Sequence, residues 1–232
     1  MHRLSGEIKV IQRQGYHPSR PYLPEAVIAG QKEGAVIEIE RKYTIAHLPE
    51  NLSSYPVRKI EQGYLSTDPV VRVRSDVRFE CSADAGYKKG SAEYYLTYKG
   101  SGTYAHEEYN LPLTQESYSH LLSKCDGTVI TKTRYNIPIS APKFRNGYDP
   151  AADKGTPEDF RGLVIELDVF RGAYDGLHFA EVEFPTAAMG DAFIPPEWFT
   201  ADVTGDRRFS NSFLSVCSDP QGLTAELMKT RQ

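Results

Sequence analysis

The chain has 232 residues, with 27 Lys plus Arg against 31 Asp plus Glu and a formal net charge of -4. That length suits one mainly β domain, since such domains of roughly 200–250 residues commonly fold as single units. The charge balance excludes a nucleic-acid surface driven by bulk positive charge, and no apolar run is long enough to span a bilayer.

The N-terminal residues lack the apolar core of a secretory leader. Cys81, Cys125 and Cys217 are odd in number and widely spaced, which argues against both a disulfide framework and a zinc site. The expected setting is the cytoplasm, the expected partner a small molecule rather than nucleic acid or membrane, and a homodimer is compatible with this reading.

Residues 1–34 read as an N-terminal extension, with a weak alternation over 7–12 and a loop punctuated by Pro18, Pro21 and Pro24. Residues 35–232 read as a single domain. Its first strand, 35–45, alternates so that Glu38, Glu40 and Lys42 share one face while Ile37, Ile39 and Tyr43 share the other with Arg41. A short helix is predicted within 47–56, then a strand over 60–65 with Gln62 and Tyr64 on one face. After a turn at Thr67-Asp68-Pro69, residues 70–74 set Arg72 and Arg74 against Val71 and Val73, and 75–91 read as a long hairpin tip. Strands follow over 94–99, carrying Lys99, and 108–111, carrying Glu108. Residues 114–124 have helical spacing behind Thr114. Residues 131–135 put Lys132 and Arg134 on one face, and 141–161 read as a loop excursion. Two further strands place Glu166 with Asp168 and Glu181 with Glu183. Helices are predicted near 186–192, over 211–216 and over 223–230, with a Pro195-Pro196-Glu197-Trp198-Phe199 segment after the first.

Charged residues are depleted from ordinary strands, yet here they recur as i, i+2 doublets. The shared faces supply Glu38, Glu40, Glu108, Glu166, Asp168, Glu181 and Glu183 as acids, and Lys42, Arg72, Arg74, Lys99, Lys132 and Arg134 as bases. The pattern predicts a mainly β, α+β fold: an eight-stranded antiparallel closed barrel with a charged lumen and helices packed outside. Buried mixed charge is costly unless it pairs or binds ions. Converging bases suit a short polyphosphate chain, and paired carboxylates are hard ligands for Mg²⁺ or Mn²⁺. Residues 100–103 lack the lysine and helix of a phosphate-binding loop, no Gly-x-Ser-x-Gly elbow occurs, and His106 and His178 read as surface or structural histidines.

In this order the doublets resemble the CYTH family, also called triphosphate tunnel metalloenzymes. The matches begin with Glu38-x-Glu40-x-Lys42, Gln62-Gly63-Tyr64-Leu65, Arg72-Val73-Arg74, Leu96-Thr97-Tyr98-Lys99 and Lys132-Thr133-Arg134-Tyr135. They continue with Glu166-Leu167-Asp168, Glu181-Val182-Glu183 and the segment 203–211. The resemblance implies a tunnel that binds triphosphate with Mg²⁺ or Mn²⁺, and its small bacterial members look like inorganic triphosphatases. Carried over, Glu38, Glu40, Glu181 and Glu183 would hold metal, supported by Glu166 and Asp168, with Glu108 counted among the acidic ligands. Lys42, Arg72, Arg74, Lys99, Lys132, Arg134 and Arg208 would contact phosphates. Lys42, Tyr64 and Glu183 are the expected catalytic set, with Tyr64 facing Lys42 near the attacking water. The fifth strand departs from the family pattern at His106 and Asn110. A nucleoside or thiamine triphosphatase, a class IV adenylyl cyclase and a non-catalytic triphosphate-binding module stay open as alternatives.

Overall fold

The computed structural model describes residues 36–82, 86–100, 105–145 and 147–229. The N-terminal extension lies outside them. The chain runs β1 (Val36–Ile45), β2 (Val57–Thr67), β3 (Val70–Ser82), β4 (Gly86–Lys99), β5 (Ala105–Pro112), α1 (Gln115–Leu122), β6 (Asp126–Ile139) and β7 (Lys143–Phe144). It continues through β8 (Leu163–Arg171), β9 (His178–Glu183), α2 (Ala187–Ala192), β10 (Phe193–Ile194), β11 (Phe199–Asp202), α3 (Asn211–Val216) and α4 (Pro220–Lys229).

The main sheet is antiparallel and holds nine strands in the order β11-β1-β5-β4-β3-β2-β6-β8-β9. Eight were expected, seven from charge alternation and one from the polar face of Gln62 and Tyr64; the ninth, β11, is only four residues long, too short for alternation to reveal it. β1 is shared among three partners: Val36 to Ile39 pair with β5, Glu40 to Tyr43 with β9, and Tyr43 and Ile45 with β11. Both ends of the remaining seven-strand series, β5 and β9, thus lie against β1. A separate two-stranded sheet joins β7 to β10, so the excursion over 141–161 contains a strand that sequence alone did not reveal.

The predicted hairpin tip over 75–91 is instead mostly strand. β3 and β4 stay paired through Asp76↔Glu93, Phe79↔Lys89 and Glu80↔Lys88, with a register shift between Val77 and Phe79. Opposite charges across the last pair support the ladder where Gly86 and Gly90 read as turn signals. The helix predicted within 47–56 shrinks to a 3₁₀ turn at Leu52–Ser54.

Two apolar clusters frame the sheet. Tyr43, Ile45, Ile165, Leu167, Val182 and Phe184 bury their outward faces against Met189 of α2 and Phe193. The second cluster joins Tyr64, Ile130, Phe170 and Phe179 to Phe209, to Leu214 of α3 and to Leu223 and Leu227 of α4. Ile130, Phe170 and Phe179 lie two residues from Lys132, Asp168 and Glu181 and continue the charged faces of β6, β8 and β9, as Tyr64 continues the face of Gln62 on β2. The charged stretch therefore ends against apolar packing on the side where the C-terminal helices sit. Elsewhere α1, capped by Thr114 Oγ1 accepting from the Ser117 amide, packs on β2, β3 and β4.

Candidate active site

Much of the charged face is buried. Arg72, Lys132, Arg134, Glu108, Glu181 and Asp168 are all buried, with Asp168 0% exposed. Strand register brings them together: Lys42 lies opposite Glu181 and Glu40 opposite Glu183, while Arg134 faces Asp168 and Lys99 faces Glu108.

Three groups of contacts result. Toward the apolar cluster, Lys42 Nζ lies 2.9 Å from Glu181 Oε1, donates to the Phe209 carbonyl at 3.1 Å and sits 5.0 Å from the Phe179 ring centroid. Across β8, Arg134 grips Asp168 with Nε and Nη2, each at 2.7 Å, and also pairs with Glu166 and Glu181; Lys132 pairs with Asp168 as well. Across β5, Lys99 bridges Glu38 at 3.1 Å and Glu108 at 2.8 Å, and Arg72 reaches Glu108 at 3.5 Å. Asn110 donates to Glu108 at 2.7 Å and accepts from Thr97 at the same distance, so it tethers that carboxylate. The Nε–H groups of Arg72 and Arg74 are buried without a hydrogen-bond partner among the described residues. Each is a donor in want of an acceptor, which an anion would supply.

Glu38, Glu40 and Glu183 bring one carboxylate oxygen apiece to within 4.8 Å of one another. Loss of bulk water and repulsion from Glu166, Glu38 and Glu40 hold the Glu183 carboxyl well above the usual carboxylate range. The residue itself remains exposed, so like-charge crowding is the operative cause. Such a set of hard oxygens, mutually repelling until a cation joins them, fits a divalent metal. Burial pulls the Lys42 ammonium down, but Glu181 and Glu40 outweigh it and keep its pKa above the ordinary value. Burial dominates at Lys132, whose pKa falls to about 8 despite Asp168, with Arg134 adding to the fall.

Two expected residues sit differently. Tyr64 Oη accepts from Gln62 Nε2 at 2.9 Å, and no hydrogen bond joins it to Lys42 among the described residues. Burial raises the phenol, while the positive charges of Arg72, Lys99 and Lys42 lower it, so Lys42 acts on it through space. Arg208 stands apart from the other bases. Its Nε donates to Asp206 at 3.0 Å, its Nη1 lies 2.6 Å from Glu226 of α4, and its side chain is 42% exposed. The side chain of His106 lies outside the described set, although its backbone pairs with Glu38.

Sequence reasoning missed Arg58 and Asp76. Arg58 donates from Nε to Asp76 Oδ1 at 3.0 Å and pairs through Nη2, and Arg74 Nη2 reaches Asp76 at 2.8 Å. A signal existed, because Arg72, Arg74, Asp76 and Arg78 continue one alternation.

No family model matches the sequence. An inorganic triphosphatase of Nitrosomonas europaea is 32% identical over 180 residues, covering 77% of this chain and 97% of the relative. The chain belongs to the inorganic triphosphatase family. A second inorganic triphosphatase, from Acetivibrio thermocellus, is 34% identical over 182 residues, covering 76% of this chain and 92% of its own. The crystal structure of the inorganic triphosphatase NE1496 is 29% identical, covers 78% of this chain and 95% of that one, and superposes with a TM-score of 0.47. Membership of the triphosphatase family fits a site crowded with bases and acids rather than nucleophiles.

Proposed function

We propose that this chain hydrolyses inorganic triphosphate to pyrophosphate and orthophosphate inside a closed β-tunnel of the CYTH type, with Mg²⁺ or Mn²⁺ bound. The observation that carries the reading is the charged face, much of it buried, on which a three-carboxylate cluster confronts six bases, two of them with unpaired buried donors. The pairing of β1 with both β5 and β9 supports closure of eight strands into a tunnel. Membership of the triphosphatase family supports the substrate.

In this reading Arg72, Arg74, Lys99, Lys132 and Arg134 hold the phosphoryl oxygens, and Lys42 adds positive charge at the end nearest the apolar cluster. Glu38, Glu40 and Glu183 hold the metal, with Glu166, Asp168, Glu181 and Glu108 orienting the bases around it. A bound divalent cation would neutralise charge on the phosphoryl group being transferred. The oxygen of water bonds to the terminal phosphorus while the bridging P–O bond breaks, the pyrophosphate leaves, and the water proton passes to a carboxylate. Tyr64 positions Arg72 and lines the wall. Arg208 takes no part while Asp206 and Glu226 hold it.

The test is a product assay on tripolyphosphate, ATP and thiamine triphosphate with either metal. Pyrophosphate and phosphate formed chiefly from tripolyphosphate are expected. Cyclic nucleotide as the main product, or faster turnover of an organic triphosphate, would replace the reading. Binding of tripolyphosphate without any turnover would make the protein a binding module.

A further inference from the structure

Beyond the residues assigned to the triphosphate lies a second charged group, built on the part of β3 that the sequence reads as a turn. On that strand Arg72, Arg74, Asp76 and Arg78 face β2 at Tyr64, Gln62, Ile60 and Arg58 in turn. The series runs away from the apolar cluster that contains Tyr64, so Asp76 lies on the far side of Arg74 from Lys42. Asp76 is 1% exposed and takes two donors from Arg58 and one from Arg74. Arg58 is itself flanked across its neighbouring strands by Arg78 and Arg134, and it approaches Glu166 at 3.6 Å. Burial raises the Asp76 carboxyl, but Arg58 and Arg74 outweigh it and bring the pKa down to about 2, so the group is anionic at neutral pH.

A carboxylate chelated by two arginines does there what a phosphoryl group would do: it satisfies a cationic wall with anionic oxygens. We propose that Asp76 is a specificity-determining residue, an internal anion that occupies the place of a fourth phosphoryl group and limits the enzyme to triphosphate chains. The inference rests on the triphosphatase reading. A longer chain extending past Arg74 meets a buried negative charge, and Arg58, which would receive it, is already engaged by Asp76. Asp76→Asn keeps the shape, removes the charge and frees guanidinium donors for the extra phosphate. Arg58→Gln does the reverse, leaving Asp76 ionised with one cation fewer beside it.

The experiment compares linear tetrapolyphosphate with tripolyphosphate, as kcat/KM and as protection against thermal unfolding with metal present. Wild-type protein is expected to favour the shorter chain by about tenfold or more, the scale of one like-charge contact at a partly hydrated site. Asp76→Asn is expected to erase that preference while keeping tripolyphosphate turnover, and Arg58→Gln to sharpen it. Loss of folding quality moves both variants alike, so opposite shifts identify the charge. Equal use of the two chains by the wild type, or an unchanged ratio in folded Asp76→Asn, overturns the inference. If the wild type hydrolyses neither chain, the hydrolase reading fails, and the ratio of thermal protection still decides the role of Asp76.

Discussion

At the level of single residues, the site is a balance of opposed charges that one substitution can tip. Glu183 illustrates it. Its folded pKa is raised well above the ordinary value by reduced contact with water and by Glu166, Glu38 and Glu40. The folded state therefore holds a proton that the unfolded chain releases near the ordinary carboxylate pKa, and stability falls as pH rises from there through the folded pKa. Metal-free protein is expected to melt lower as pH climbs above that point, and Glu183→Gln to flatten the dependence and raise the melting temperature at neutral pH. The same variant is expected to lose about 10²-fold or more in tripolyphosphate turnover. A melting curve whose pH dependence is unchanged by the substitution would remove the charge-crowding account. The doublets of acid and base were legible in the sequence because period two sets them on one face. Asp76 and Arg58 were not, because Gly86 and Gly90 masked the continuation of β3 and β4, and no charged doublet marked Arg58. Arg208 was legible only through its motif, and in this structure Asp206 and Glu226 hold it.

At the level of elements, local rules explain most boundaries. Thr114, Thr186 and Ser210 each cap the helix that follows with a side-chain oxygen, and these helix starts were readable in advance. Gly63 is explained only by packing. A Cβ there would lie 2.7 Å from Cys125 Sγ and 2.8 Å from Leu122 Cδ1, so the glycine lets the end of α1 close onto β2 beside Tyr64. Gly63→Ala is expected to destabilise the protein by about 1–3 kcal/mol, the usual range for overpacking, measured by denaturant unfolding. A neutral result would mean that α1 can shift at little cost. The short strands β7, β10 and β11 were hidden because two to four residues carry no periodicity to read.

At the level of the whole molecule, β1 organises the fold by pairing with both ends of the strand series, and that junction is where Glu38, Glu40 and Lys42 sit. Period-two patterning revealed the strands and their charged faces; which strands are neighbours depends on long-range pairing that no local pattern encodes. Burying so much charge makes the fold depend on complete pairing. Asp168 is fully buried between Lys132 and Arg134, so Asp168→Asn leaves two cations short of a counter-charge. A loss of about 3–5 kcal/mol is expected from equilibrium unfolding, the cost of breaking a buried pair from one side. A loss below the range of surface substitutions would show that water reaches the cluster.

In the proposed reading the carboxylate cluster and the facing bases form one metal-dependent triphosphate site. Its most direct test is phosphate release from tripolyphosphate by wild-type protein and by Glu40→Gln, each with Mg²⁺ or Mn²⁺ and again after chelation. Turnover by the wild type that chelation abolishes and metal restores is expected, with little turnover by Glu40→Gln at any metal concentration. Equal turnover with and without chelator, or a Glu40→Gln variant as active as the wild type, would contradict it.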